Sequence, residues 1–469
     1  MRFRLMLGLL AVSAAACAVA PKYVFVFIGD GMSMPQRMTA EEFARLSGYG
    51  PLAMNSLRYQ SSTRTRSANA IVTDSAAAAT AIACGEKANN GALGVAPDGR
   101  RLESVAEFAK RRGMKVGIMT TVPIVHATPA GFYAHRQNRG DSYGIALDLL
   151  AAKFDFFAGG GVYDKYDDRR HPEYRGNIFT LAEKDGFTIA RDKASFAALK
   201  PGCGKAWGVF SDYGLAFAID GEEAYPDLAA MVSKAVELLE GPDGFFIMAE
   251  GGEVDHCAHA NDAAAVLREI ISMDAAVKVA VKFMERHPDE TLVIVTGDHE
   301  TGGMAMGFAG LGYKFQVGLL AHQKCSAEAF SNRIAGMLER NISLTFAEVR
   351  PLVEENFGLV FDAAKATTED ERQLLLNAGE IKELEKAFKK DVAFVRTRQH
   401  ETTKHDVQRR RQFAAACRRI LSNHAGVGWS SGAHTALPTM TTAGGCGAEN
   451  FTGFLENTDI AVRLKALLK

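Results

Sequence analysis

Charge of one sign is missing from this 469-residue sequence: 54 Lys and Arg stand against 55 Asp and Glu. No electrostatic bias therefore recruits nucleic acid or an anionic membrane surface. The one basic run, residues 409–411, reads as a solvated helix face. Cysteine is scarce. Beyond Cys17 there are six, Cys84, Cys203, Cys257, Cys325, Cys417 and Cys446, widely and irregularly spaced. They form no Cys-x-x-Cys metal pattern, so they read as structural or free, with any disulfide connectivity open. Internal repeats and low-complexity linkers are also absent. The N-terminal apolar run "MRFRLMLGLLAVSAAACAVA" is too short, and too soon followed by a strand, to read as a membrane span. Its two early arginines and the Ala-x-Ala ending at Ala20 have the pattern of a secretory signal peptide over residues 1–20. The expectation is an exported, periplasmic or secreted protein. A lipid anchor at Cys17, giving a membrane-anchored lipoprotein, is the alternative.

What is present is glycine, 45 residues of it, and short apolar runs that read as buried strands: 23–31, 115–121, 154–161, 244–252 and 291–300. Helix-period segments such as "RLESVAEFAKRRG" and "AAAVLREIISMDAAVKVAVKFMERH" lie between them. This alternation predicts an α/β fold with a mostly parallel central sheet and helices on both faces. Residues 21–469 read as one catalytic domain. The charged, glycine-poor stretch at about 325–425 reads as a helical insertion within it.

The strand ends carry the chemistry. Asp30 follows the first run, His126 and Thr128 the second, Glu250 closes the fourth, and Asp298 and His299 follow the fifth. In open α/β sheets ligands gather beyond the carboxyl ends of the strands, so these groups are expected to converge. Asp255 and His259 are four residues apart and would share a helix face, as a pair of metal ligands or as a surface ion pair. In "TDSAAAATAIACG" the Asp74-Ser75 pair, the alanines and the glycine read as cap, helix and stop. Ser75 either caps that helix or attacks something. It does not stand in a Gly-x-Ser-x-Gly elbow, so a serine–histidine mechanism of that kind does not account for it.

"GDGM", "TDSAAAATAIACG", "HATPAGFYAHRQNR", "EGGEVDHCAH", "TGDHETGG" and "SGAHT", in this order from about residue 23 to 456, resemble the alkaline phosphatases. The resemblance implies two zinc ions and one magnesium ion. Asp255, His259 and His434 would hold one zinc; Asp30, Asp298 and His299 the second, beside Ser75. Asp30, Thr128 and Glu250 would form the magnesium site, next to His126. Mixed imidazole and carboxylate donors suit zinc, whereas a hydroxyl and two carboxylates suit magnesium. The family has Asp or His where this chain has His126, and Lys or His where it has His256, a position near the phosphate. Histidine at both is closer to the animal enzymes than to the enteric bacterial type. By its place in "AHRQNR", Arg139 is implied as the phosphate clamp, with Asp74 steadying it; on bare sequence Arg136 is a rival. The implied activity is hydrolysis of small phosphate monoesters through a phosphoserine at Ser75, in a homodimer. The alternative is a phosphodiesterase or sulfatase of the same superfamily. Sulfatases, however, need a Cys/Ser-x-Pro-x-Arg setting that "DSAAAATA" does not provide.

Overall fold

The computed structural model describes residues 20–221, 224–397 and 411–469. The signal-peptide reading, Cys17 and two of the three residues of the basic run lie outside these.

Ten strands form one sheet. In chain order they are β1 (Tyr23–Gly29), β2 (Tyr59–Arg64), β3 (Lys115–Pro123), β4 (Phe156–Gly160), β5 (Phe187–Ala190), β6 (Lys205–Val209), β7 (Phe245–Gly251), β8 (Thr291–Gly297), β13 (Thr439–Gly445) and β14 (Gly453–Glu456). Two small ribbons contain β9 (Glu300–Thr301) with β12 (His434–Thr435), and β10 (Met304–Met306) with β11 (Val427–Trp429). The order across the large sheet is β14-β2-β13-β8-β1-β7-β3-β4-β6-β5. Every neighbouring pair is parallel except the two that β13 makes. The predicted α/β architecture is therefore the observed one.

The sheet is parallel because its central strands are apolar on both sides. β1, "YVFVFIG", is buried throughout. Tyr23, Phe25 and Phe27 enter one hydrophobic layer, while Val24, Val26 and Ile28 enter the other. A strand buried on both faces has no polar side to offer water and needs helices above and below. One of these is the 24-residue helix Ala263–Arg286, whose N-terminus Asp262 caps.

Residues 325–425 are helical where described: Ala327–Arg340, Phe346–Phe357, Ala378–Thr397 and Gln412–Ala425 are the longer helices. Phe330, Val349, Phe388 and Phe413 join the same apolar layer as Phe25. The excursion leaves the body at β10 and returns at β11, and these two strands pair antiparallel. Its two ends are thus pinned together on the ribbon that follows β8.

Candidate active site

β8, β1, β7 and β3 stand side by side in the middle of the sheet. Their register sets Ile28 beside Glu250, and Gly29 beside both Gly251 and Gly297. Asp30, Glu250 and Asp298 therefore reach the same rim although more than two hundred residues separate the first from the others. Gly31 makes the convergence possible. Its φ is +71°, and a Cβ there would lie 2.8 Å from Thr301 Oγ1 and 2.9 Å from Asp255 Oδ1, so neither conformation nor space admits a larger residue.

Three ligand groups result. Asp255, His259 and His434 form the outer one; Asp30, Asp298 and His299 a fully buried one; Asp30, His126 and Glu250 a third, and within each the donor atoms lie within 4.8 Å of one another. Asp255 and His259 meet as the helical spacing predicts, on the helix Glu253–His259, at 3.2 Å. Thr128 Oγ1 reaches Asp30 Oδ2 at 3.3 Å, joining the third group.

The hydrogen bonds around these groups show that cations fit them. His259 Nδ1 donates to the Gly432 carbonyl at 2.8 Å, and His434 Nδ1 to the Thr73 carbonyl at 2.9 Å. A carbonyl only accepts, so both rings donate from Nδ1. Their Nε2 atoms, 3.1 Å apart and beside Asp255, are left for a shared cation, which would reconcile them. His299 follows the same rule. Thr301 Oγ1 donates to Asp255 Oδ1 at 2.6 Å and accepts from His299 Nδ1. His299 Nε2 is left 3.3 Å from Asp30 Oδ1 and 3.2 Å from Asp298 Oδ2. Burial drives the pKa of this imidazole well down, so it stays neutral and able to ligate.

Asp30 Oδ1, Asp298 Oδ2 and Glu250 Oε1 are buried without a hydrogen-bond partner. Unpaired buried carboxylates are costly. Burial, reinforced by the neighbouring carboxylates, pushes Asp30 and Asp298 well above the usual range, and burial lifts Glu250 to about 7. A divalent cation in each group would remove that strain, and the donor sets match zinc twice and a harder, oxygen-preferring cation once.

Ser75 opens the helix Ser75–Cys84, but it is not the cap. Asp74 is, its Oδ1 accepting from Ala77 N at 3.0 Å, and Gly85 ends the helix at φ 83°. The Ser75 hydroxyl is thereby left for other work, and it points at His299 Nε2, 3.2 Å away. The alanines let the helix sit deep: a Cβ at Gly131 would lie 2.8 Å from Ala79 Cβ.

Asp74 does more than cap. Its Oδ2 accepts from Gly91 N at 3.0 Å and from Arg139 Nη1 at 3.1 Å. Arg139 Nη2 donates to His126 Nε2 at 3.2 Å, which holds the guanidinium over the serine side of the site. Arg136, the sequence rival, is occupied elsewhere by Asp148 and Glu173. Asp74→Ala is expected to cost about 1 kcal/mol of stability through the lost cap. It should also raise KM, because Arg139 loses its anchor; a melting curve and steady-state kinetics on one preparation check both.

His256 stands 5.9 Å, ring to ring, from His126. Its Nδ1 is bonded to Glu253 Oε2 at 2.7 Å, which leaves Nε2 to face the cleft. Sequence reasoning assigned no part to Glu253, to Thr301, or to Thr120, whose hydroxyl donates to Glu250. Glu253 and Thr301 stand inside the "EGGEVDHCAH" and "TGDHETGG" motifs. Glu253 pairs within its own helix with His256, whereas the partner of Thr301, Asp255, becomes visible only once β8, β1 and β7 lie side by side.

A parallel sheet whose central strand ends gather three carboxylate and histidine groups around one serine at a helix N-terminus defines a metal-dependent hydrolase. The family model for alkaline phosphatase matches residues 21–469, and the chain belongs to this family of phosphomonoester hydrolases. It is 29% identical to alkaline phosphatase 3 of Bacillus subtilis over 94% of this chain and 87% of that protein. A cold-active alkaline phosphatase from a psychrophilic Shewanella superposes with a TM-score of 0.78 at 26% identity, covering 95% of this chain and all of that one. A mutant alkaline phosphatase from the Antarctic bacterium TAB5 has Mg bound in its M3 site; it superposes at 0.64 with 25% identity over 96% and 99% of the two chains.

Proposed function

We propose that the chain hydrolyses phosphate monoesters by transfer to Ser75. Ser75 Oγ forms a bond to phosphorus as the ester oxygen leaves in line on the opposite side. Water then cleaves the phosphoserine, returning the serine and inorganic phosphate. Two zinc ions, held by Asp255, His259 and His434 and by Asp30, Asp298 and His299, with magnesium at Asp30, Thr128 and Glu250, would lower the pKa of the attacking groups and neutralise developing charge. Arg139 holds two phosphate oxygens at once, a task for which a planar guanidinium is suited. Asp74 and His126 fix its plane, and His256, set by Glu253, faces the same phosphate. The amides of the first turn of the helix Ser75–Cys84 add positive potential where the phosphoryl group settles.

The observation that carries this reading is the Ser75 hydroxyl, freed from capping by Asp74 and set 3.2 Å from the unprotonated Nε2 of His299. The test is a comparison of p-nitrophenyl phosphate, bis(p-nitrophenyl) phosphate and p-nitrophenyl sulfate. The monoester should be hydrolysed faster by orders of magnitude; a dominant diester or sulfate rate would instead place the chain with the phosphodiesterases or sulfatases.

Arg139→Ala removes the clamp. A pair of charge-assisted hydrogen bonds contributes roughly 1.5–3 kcal/mol, so inhibition by inorganic phosphate should weaken by about 10- to 100-fold, as read from Ki.

The same proposal covers organisation. The Ala-x-Ala ending at Ala20 supports a removable signal peptide and an exported, periplasmic or secreted enzyme, with lipidation at Cys17 as the alternative. No helix among the described residues is long and apolar enough to cross a membrane. Residues 21–469 would act as one catalytic domain carrying the insertion at about 325–425. Membership of the family supports a homodimer.

A further inference from the structure

A cavity of about 530 Å³ lies where the insertion helices meet Asn261, Phe308 and Trp429. Each chain segment that supplies an imidazole to the outer or the buried ligand group continues into its wall. Asn261 stands two residues after His259, Phe308 follows the strand pair after His299, and Trp429 stands five residues before His434. The Trp429 ring lies directly on Gly302, where a Cβ would be 2.5 Å from it. The opposite wall comes from the insertion: Lys386 and Lys390 on the helix Ala378–Thr397, and Arg418 on Gln412–Ala425. Arg418 also bonds the carbonyl of Ala260, so the insertion is tied to the residue next to His259.

The lining is built for an organic anion. Glu383 is the one acid in it, and Arg419 engages that acid. Lys386 and Lys390 have no carboxylate partner among the described residues. Trp429 Nε1, Arg418 Nε and Asn261 Oδ1 are buried polar atoms without partners, two donors and one acceptor, beside the flat faces of Trp429 and Phe308. In a chain with net charge −1, this concentration of positive charge is local.

Direction gives it a role. Ser75 touches the buried ligand group, so in-line displacement expels the leaving group on the far side, toward the outer group of Asp255, His259 and His434. The cavity begins next to that group: Asn261 in its wall stands two residues after His259, and Arg418 in its wall bonds Ala260. We propose that the cavity is a leaving-group subsite, which selects phosphate monoesters whose alcohol carries a planar ring and a second negative charge. The direction of the leaving group rests on the function proposed above; the cavity's affinity for such an anion does not.

The test uses full-length, metal-loaded Ser75→Ala protein titrated with adenosine 3′,5′-bisphosphate or adenosine 5′-phosphate. Fluorescence reports the site, because the chain has two tryptophans and the other, Trp207, is sealed under Phe157, Phe179 and Phe187. The bisphosphate should bind about tenfold more tightly, as two exposed charge contacts allow at most. Adding Lys386→Glu and Lys390→Glu should erase that difference while leaving the affinity for inorganic phosphate unchanged, and Trp429→Phe should abolish the signal. Equal affinities in the parent, or a preference that survives charge reversal, overturns the subsite. Wild-type protein that hydrolyses neither compound would overturn the phosphatase reading instead, and the titration would still decide the cavity.

Discussion

Ser75→Ala is expected to lower kcat for p-nitrophenyl phosphate by about 10³-fold or more, the scale on which removal of a covalent nucleophile acts. Folding should change little. Asp74, not Ser75, caps the helix, and the serine side chain spans no buried network beyond its contact with His299. The expected shift in stability is within about 0.5 kcal/mol, as for substitutions that disturb no structural partner. The variant should keep its affinity for inorganic phosphate, because Arg139 and the ligand groups are intact. Intact-protein mass spectrometry after an acid quench adds a direct reading: wild-type protein gains one phosphoryl group and the variant none. Near-normal turnover by Ser75→Ala would remove the covalent route and leave direct attack by water.

The second large effect is on stability after chelation, and its sign depends on pH. In metal-free protein Asp30, Asp298 and Glu250 are pushed up by burial, with neighbouring negative charge adding to the shift in the two aspartates. A carboxyl whose folded pKa is raised holds its proton longer in the native state than in the unfolded chain. The native state then binds more protons, and stability falls as pH rises. For Glu250 that window runs from about 4.5 to about 7, with Asp30 and Asp298 adding loss in the same direction. Metal-loaded protein should behave oppositely, since ligands must be deprotonated to bind and affinity rises with pH. Buried neutral His126 and His299 act in the opposite sense only below about pH 6.5, so calorimetry from pH 6.5 to 8 should show the EDTA-treated protein melting progressively lower and the loaded protein holding or rising, the two curves diverging by many degrees at pH 8. Parallel curves would mean that the three groups do not hold cations.

The central strands were legible because burial on both faces writes them as unbroken Val, Ile and Phe runs. β2, "YQSSTR", and β13, "TMTTAGG", could not be read in this way. They lie on the side of the sheet beyond β8, carry threonine and serine, and form hydroxyl ladders such as Thr63–Thr441–Thr296. The site motifs were legible as residue types at strand ends, yet sequence left two choices open that only packing decides. Asp74 rather than Ser75 takes the cap because its carboxylate also reaches Gly91 and Arg139. Arg139 rather than Arg136 reaches Asp74, the residue before the serine, because Arg136 is already held by Asp148 and Glu173. Thr120 meets Glu250 across two strands and Thr301 meets Asp255 on the helix Glu253–His259, pairings that no local pattern announces; Glu253 holds His256 three residues on. The cavity was invisible for a further reason: most of its wall belongs to insertion helices whose charge pattern reads as ordinary solvated surface.

The claim that three cation sites surround a serine nucleophile is tested most directly by p-nitrophenyl phosphate hydrolysis at alkaline pH. Purified mature protein would be assayed before and after EDTA, then with zinc and magnesium returned, and metal content measured on the same samples. Activity lost with the metals and restored as about two zinc and one magnesium re-enter each chain is the expected result. Activity that survives complete removal of metal, or none in any metal state, would contradict it.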